Sequence, residues 1–136
     1  MSFVILQNLL GNIIVGNFLA SAKMTLPATR IDWPKYWAAQ PQDPFASQEF
    51  LQSFQGIKRF IFRYVEKRSR VLVVGCGNSR LAEDIYDCGV HNITCMDCSE
   101  SIIRLMKIRN RSEGRSKMQH VVMNYAELEF KKESFD

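Results

Sequence analysis

Apolar side chains repeat at intervals of three and four through Phe50, Leu51, Phe54, Ile57, Phe60, Ile61, Tyr64 and Val65, which predicts a helix with one buried face. Ser47 stands ahead of the run as its N-cap. The pattern then changes: Val71, Leu72, Val73 and Val74 follow one another without alternation, so this predicted strand is buried on both faces. Helical spacing returns at Leu81, Ile85 and Tyr86 within residues 80–88, closed by Gly89. A second apolar run of Ile93, Thr94, Cys95 and Met96 predicts the next strand. Ser99 or Ser101 opens a further helix through Ile102, Ile103, Leu105, Met106 and Ile108, and a third strand at 121–123 follows a basic loop at 111–117. Strands alternating with helices imply an α/β fold. About three parallel strands are joined by right-handed crossovers, with flanking helices and ligands expected beyond the carboxyl ends of the strands.

Residues 1–22 form an apolar amino-terminal segment without a charged side chain. At 100° per residue Leu6, Leu9, Leu10, Ile13 and Ile14 share one side, opposite Gln7, Asn8, Gly11 and Asn12, which favours an amphipathic helix. Ala20, Ser21 and Ala22 fit a signal-peptidase site, although the basic n-region of a secretory signal is missing, and a non-native extension is a third reading. Residues 23–46 hold all four prolines (Pro27, Pro34, Pro41 and Pro44) and read as an extended connector. The domain proper is expected at 47–136.

At 136 residues, 46% apolar and 24% charged, the chain is one globular domain's worth and neither collagenous nor disordered. Lys and Arg outnumber Asp and Glu by 18 to 14, and the resulting +4 is too small to indicate nucleic-acid or membrane partners. Cys76, Cys88, Cys95 and Cys98 include one C-x-x-C without a matched second pair, so buried thiols are expected rather than a metal site. Such thiols fit a reducing compartment, the cytoplasm. His91 and His120 have no nucleophile spaced to use them and read as surface or structural residues. Arg104, Lys107, Arg109, Arg111, Arg115 and Lys117, opposed only by Glu113, read as a solvated helix and loop. Contact with RNA is the less favoured reading, because no aromatic residues are interleaved.

The candidate chemistry lies at the predicted strand ends. Gly75, Cys76, Gly77, Asn78 and Ser79 join the first strand to its helix, where glycines permit a tight turn and close approach of a nucleotide-like ligand to the backbone. Arg80 stands where a dinucleotide fingerprint needs glycine or alanine, and no G-K-[ST] follows, which disfavours NAD, FAD and a P-loop. Asp97, twenty residues after Gly77, can accept from both hydroxyls of a ribose. Asn124 and Tyr125 end the third strand, where an amide oxygen could accept from an adenine amino group.

The run Val71-Leu72-Val73-Val74-Gly75-Cys76-Gly77-Asn78-Ser79, followed by Leu81, Tyr86-Asp87, Gly89, Ile93, Asp97 and Ser99, resembles class I S-adenosylmethionine-dependent methyltransferases. The GCGNS form and the preceding Tyr36-Trp37 resemble the branch of eukaryotic lysine methyltransferases acting on elongation factor 1-alpha. The resemblance implies a partial Rossmann-like sheet and S-adenosyl-L-methionine as cofactor. It implies Gly75 and Gly77 with the intervening loop at the methionine part, Asp97 at the ribose, and Cys98, Asn124 and Tyr125 at the adenine. Val73 and Asn124 depart from the acidic residues many class I enzymes carry there, so weakened binding is expected. The resemblance also implies a fourth strand with an acidic motif and three more strands beyond Asp136. The chain is therefore read as an amino-terminal half, truncated before the fourth strand, with no catalytic residue assigned and activity by itself doubtful. A protein lysine is the implied acceptor, a translation elongation factor the implied partner, and no stable membrane association is expected. A non-catalytic interaction module and an RNA methyltransferase are the alternatives.

Overall fold

The computed structural model describes residues 4–6, 31–49 and 53–136. In chain order the elements are β1 (Val4–Leu6), α1 (Trp33–Ala39), α2 (Phe54–Ile61), β2 (Arg70–Val74), α3 (Leu81–Asp87), β3 (Asn92–Asp97), α4 (Glu100–Ser112) and β4 (Gln119–Val122). The four strands form one parallel sheet in the order β1-β2-β3-β4. Register aligns the strand ends: Val74 lies opposite Met96, and Asp97 opposite Val122. This is a partial Rossmann-like parallel sheet, with the carboxyl-terminal tips of β2, β3 and β4 side by side.

The uninterrupted run of β2 is buried on both faces, as its lack of alternation predicts, because each face meets a different cover. Val71, Val73, Ile93 and Cys95 join a large cluster with Trp37 of α1, Phe54 and Ile61 of α2, Leu81 and Ile85 of α3, and Ile102, Ile103 and Met106 of α4. On the other face Leu72, Val74 and Met96 meet Val121, Met123, Phe130 and Phe135.

Three sequence expectations are corrected. Val4–Leu6 is a strand and not part of a helix; the rest of the expected amino-terminal helix lies outside the described residues. An unpaired edge of β2 leaves backbone donors and acceptors that a parallel neighbour satisfies, and helical periodicity over so short an apolar run cannot outweigh that. The proline connector contains α1, because Pro34 falls in its first turn, where a missing N–H costs nothing, and Asp32 caps it by accepting from the Lys35 amide (3.1 Å). Finally, α2 begins after Ser53 rather than Ser47 and ends at Ile61. Tyr64 lies in the turn that follows and Val65 just past it, still in the core.

Candidate functional site

The turn after β2 is built from glycine for a backbone reason. Gly75 and Gly77 adopt positive φ values of 65° and 49°, which side chains with a Cβ disfavour. The Cys76 amide donates to the Met96 carbonyl (3.0 Å), so the ladder to β3 continues into the loop. The Gly77 amide donates to Asp97 Oδ2 (3.1 Å), and the Ser99 amide donates to Asp97 Oδ1 (3.0 Å). Gly77 and Asp97, twenty positions apart in sequence, are thus in direct contact at neighbouring strand ends. Asp97 is 5% exposed. Burial raises its carboxyl above the ordinary value, while the amides of Ser99 and Gly77 and the neighbouring Cys98 pull it back. The Gly77 and Ser99 amides bond different oxygens of this carboxylate and Cys98 bonds it as well, so a vicinal diol would share its acceptor positions with these donors.

The Met123 amide donates to the Asp97 carbonyl (3.0 Å), which brings the tip of β4 alongside. Asn124 and Tyr125 follow it, both exposed. Asn124 Oδ1 accepts from the Ala126 amide (3.1 Å) and its carbonyl from the Glu127 amide (3.0 Å), so this side chain closes its own turn and offers one remaining lone pair. Cys98 is half-buried beside Asp97, and burial raises its thiol.

The first-turn amides of α3, expected to face a ligand, are partly engaged within the chain. Glu49 reaches over from the segment that follows the connector: its carboxylate accepts from the Arg80 amide (2.7 Å) and from Ser79 Oγ (2.6 Å). The Gln48 amide donates to Asn78 Oδ1 (3.1 Å). Glu49 carries no motif, and only the fold brings it to the loop.

Beneath the loop lies a buried ionic network. Arg109 of α4 is fully buried, and its Nε donates to Glu83 Oε1 (2.6 Å). Its Nη1 donates to the carbonyls of Ala46 (3.1 Å) and Asn78 (3.1 Å), and its Nη2 to those of Asn78 (3.2 Å) and Ser79 (2.9 Å). Burial raises the Glu83 carboxyl, and Arg109 opposes that rise. Asn110 Nδ2 lies 3.2 Å from both Glu83 Oε1 and His120 Nε2. Burial pushes His120 down to about 4, so its ring is neutral at pH 7. A cavity of about 10 Å³, the size of a single water, lies among Gly77, Glu83, Asn110 and His120.

This network also revises the basic stretch. Arg109 is internal, and Arg115 pairs with Asp87 (2.6 Å) and Glu113, leaving Arg104, Lys107, Arg111 and Lys117 exposed. His91 packs edge-on against Tyr86. Cys76 and Cys95 are buried, and their mutual hydrogen bond, with burial, raises the Cys76 thiol. No helix among the described residues is long and apolar enough to cross a membrane.

Residues 71–136 match the family described as a methyltransferase domain. Over 103 residues, 76% of the chain, the sequence is 36% identical to the eEF1A lysine and N-terminal methyltransferase of Bos taurus and 33% identical to that of Homo sapiens, in each case over 14% of the relative's length. It is 27% identical to EEF1A lysine methyltransferase 4 of Mus musculus over 104 residues, 75% of this chain and 40% of the relative. The chain spans about a seventh of the length of the first two.

Proposed function

We propose that this chain is part of a class I S-adenosylmethionine-dependent methyltransferase, binding S-adenosyl-L-methionine across the tips of β2, β3 and β4 and serving methyl transfer to a protein amine, a reading that the methyltransferase-domain match over residues 71–136 supports. Gly75, Cys76, Gly77, Asn78 and Ser79 border the methionine moiety, Asp97 holds the ribose hydroxyls, and Cys98, Asn124 and Tyr125 meet the adenine. The bound group supplies an activated methyl on a sulfonium. The observation that carries this reading is the contact between the Gly77 amide and Asp97 Oδ2, which puts bare backbone and an acceptor carboxylate next to each other. The residues present fit: positive-φ glycines admit close approach, and Asp97 presents a carboxylate acceptor that a diol would share with the Gly77 and Ser99 amides and Cys98.

The relatives named for lysine and N-terminal methylation of eEF1A support an amine acceptor, a lysine first, on a protein partner such as a translation elongation factor. Transfer requires a neutral amine aligned in line about 3 to 3.5 Å from the methyl, its proton passing to solvent or a base, and no base is assigned among the described residues. The free cysteines support a reducing compartment, the cytoplasm. Calorimetry with S-adenosyl-L-methionine tests the binding step. Saturable binding that Asp97→Ala weakens at least about tenfold is expected from the loss of charge-assisted bonds. Absence of binding by the parent chain refutes it and leaves the interaction module.

A further inference from the structure

Arg109 has no exposure, yet its guanidinium reaches four separate acceptor groups: the Glu83 carboxylate of α3, the Ala46 carbonyl of the connector, and the Asn78 and Ser79 carbonyls of the glycine-rich loop. Only a planar fork of five donors can serve such a set; an ammonium group cannot span it. We infer that Arg109, held in register by Glu83, is the positioning residue that fixes the loop for S-adenosyl-L-methionine, an inference that rests on the cofactor reading above.

The reason lies in peptide planarity. In a trans peptide the carbonyl of one residue and the amide of the next point in opposite directions. Turning the Ser79 carbonyl inward onto Arg109 therefore turns the Arg80 amide outward, where Glu49 receives it (2.7 Å). Turning the Asn78 carbonyl inward likewise sets the Ser79 amide toward the Cys76 carbonyl (3.3 Å), which closes the turn over Gly77. One guanidinium thus fixes two consecutive peptide planes, and through Ala46 it also ties down the end of the connector, just ahead of Glu49. With those planes fixed beforehand, a ligand lying on Gly75 and Gly77 does not have to order the loop itself, a cost that would otherwise weaken its binding.

A positioning role separates from a merely stabilising one by replacing the whole ion pair. Apolar residues of similar volume commonly restore the stability of a buried pair, but they hold no carbonyl. The double variant Arg109→Met with Glu83→Met is measured for melting temperature, residue-resolved amide exchange without ligand, and calorimetric affinity for S-adenosyl-L-methionine. Melting closer to that of the parent than for Arg109→Met alone is expected, since the Ala46, Asn78 and Ser79 carbonyls lose their donor in both variants, with unchanged exchange at Val73 and Cys95. Exchange at Ser79 and Arg80 is expected to be about tenfold faster and affinity about tenfold weaker, as for the loss of one or two hydrogen bonds. Parental loop exchange overturns the inference, and so does faster exchange with parental affinity. Should the double variant fail to fold, Arg109→Lys, which keeps a charge beside Glu83 but lacks the fork, decides by the same exchange and affinity readouts. If the parent chain itself binds no cofactor, the cofactor reading falls, and loop exchange alone then decides whether Arg109 holds the loop.

Discussion

The two faces of the sheet are covered by different means. On one face α1, α2, α3 and α4 all contribute to a single cluster, and the same helices hold the Glu83–Arg109 pair under the glycine-rich loop. The opposite face has three fully buried residues, Leu72, Val74 and Met96, met by partly buried side chains that include Phe130 and Phe135 from an irregular segment. The helical face therefore combines deep apolar burial with a polar network aimed at the loop. The other face contributes apolar burial, its covering segment tied down by the exposed Arg70–Asp136 pair (2.6 Å), and the buried polar network under the loop belongs to the helical side.

Breaking the network should cost most. Arg109→Met alone leaves buried Glu83 with only Asn110 (3.2 Å) and the Arg80 guanidinium (3.5 Å), and urea unfolding should show a loss of about 3 to 5 kcal/mol, part of it recovered in the double variant with Glu83→Met. Next come the apolar contacts. Ile103→Ala, at a site 1% exposed, should cost about 2 to 5 kcal/mol, whereas Phe135→Ala, at a partly exposed site, should cost about half as much or less. Equal losses at the two positions would erase the contrast between the faces.

Acid should act on the helical face through His120, whose folded value is about 4 against an ordinary 6.5. Between those values the unfolded chain binds the proton and the folded chain does not, so stability is full above about pH 6.5 and falls by up to about 3 kcal/mol as pH drops to 4. The raised carboxyls of Asp97 and Glu83 have the opposite sign, since the stability they hold at low pH is lost as pH rises through their folded values. Comparing parent with His120→Gln across that window isolates the imidazole; an unchanged slope would remove it. The smallest effect belongs to the exposed side of α4, where Arg104→Ala should stay within about 0.5 kcal/mol by the same unfolding assay.

Much of the fold was legible because it depends on local pattern. The unbroken Val71 to Val74 run, the Gly89 stop and the Ser99 start all correspond to elements found in place. What could not be read depends on pairing across distance. Val4 to Leu6 is a strand because β2 offers it an edge, which periodicity does not encode. Pro34 marks a helix start as readily as an extended connector. In the candidate site, the glycines and Asp97 were found by spacing, and the structure brings Gly77 and Asp97 into contact. Glu49 was missed because only the fold delivers it. Arg109 did carry a signal: it continues the buried stripe of Ile102, Leu105 and Met106, and a cation on an apolar stripe implies a buried partner. Grouped by composition with the exposed basic residues, it was placed on the wrong side of its helix.

The central claim concerns where a sulfonium nucleoside lies, and backbone amide shifts during titration with S-adenosyl-L-methionine test it most directly. Saturable shifts should concentrate at Gly75, Gly77, Asp97 and Ser99, with smaller ones at Asn124 and Tyr125, and in Asp97→Ala should need at least about tenfold more ligand. A titration that leaves these amides unmoved, or that moves residues of α2 instead, would contradict the proposed site.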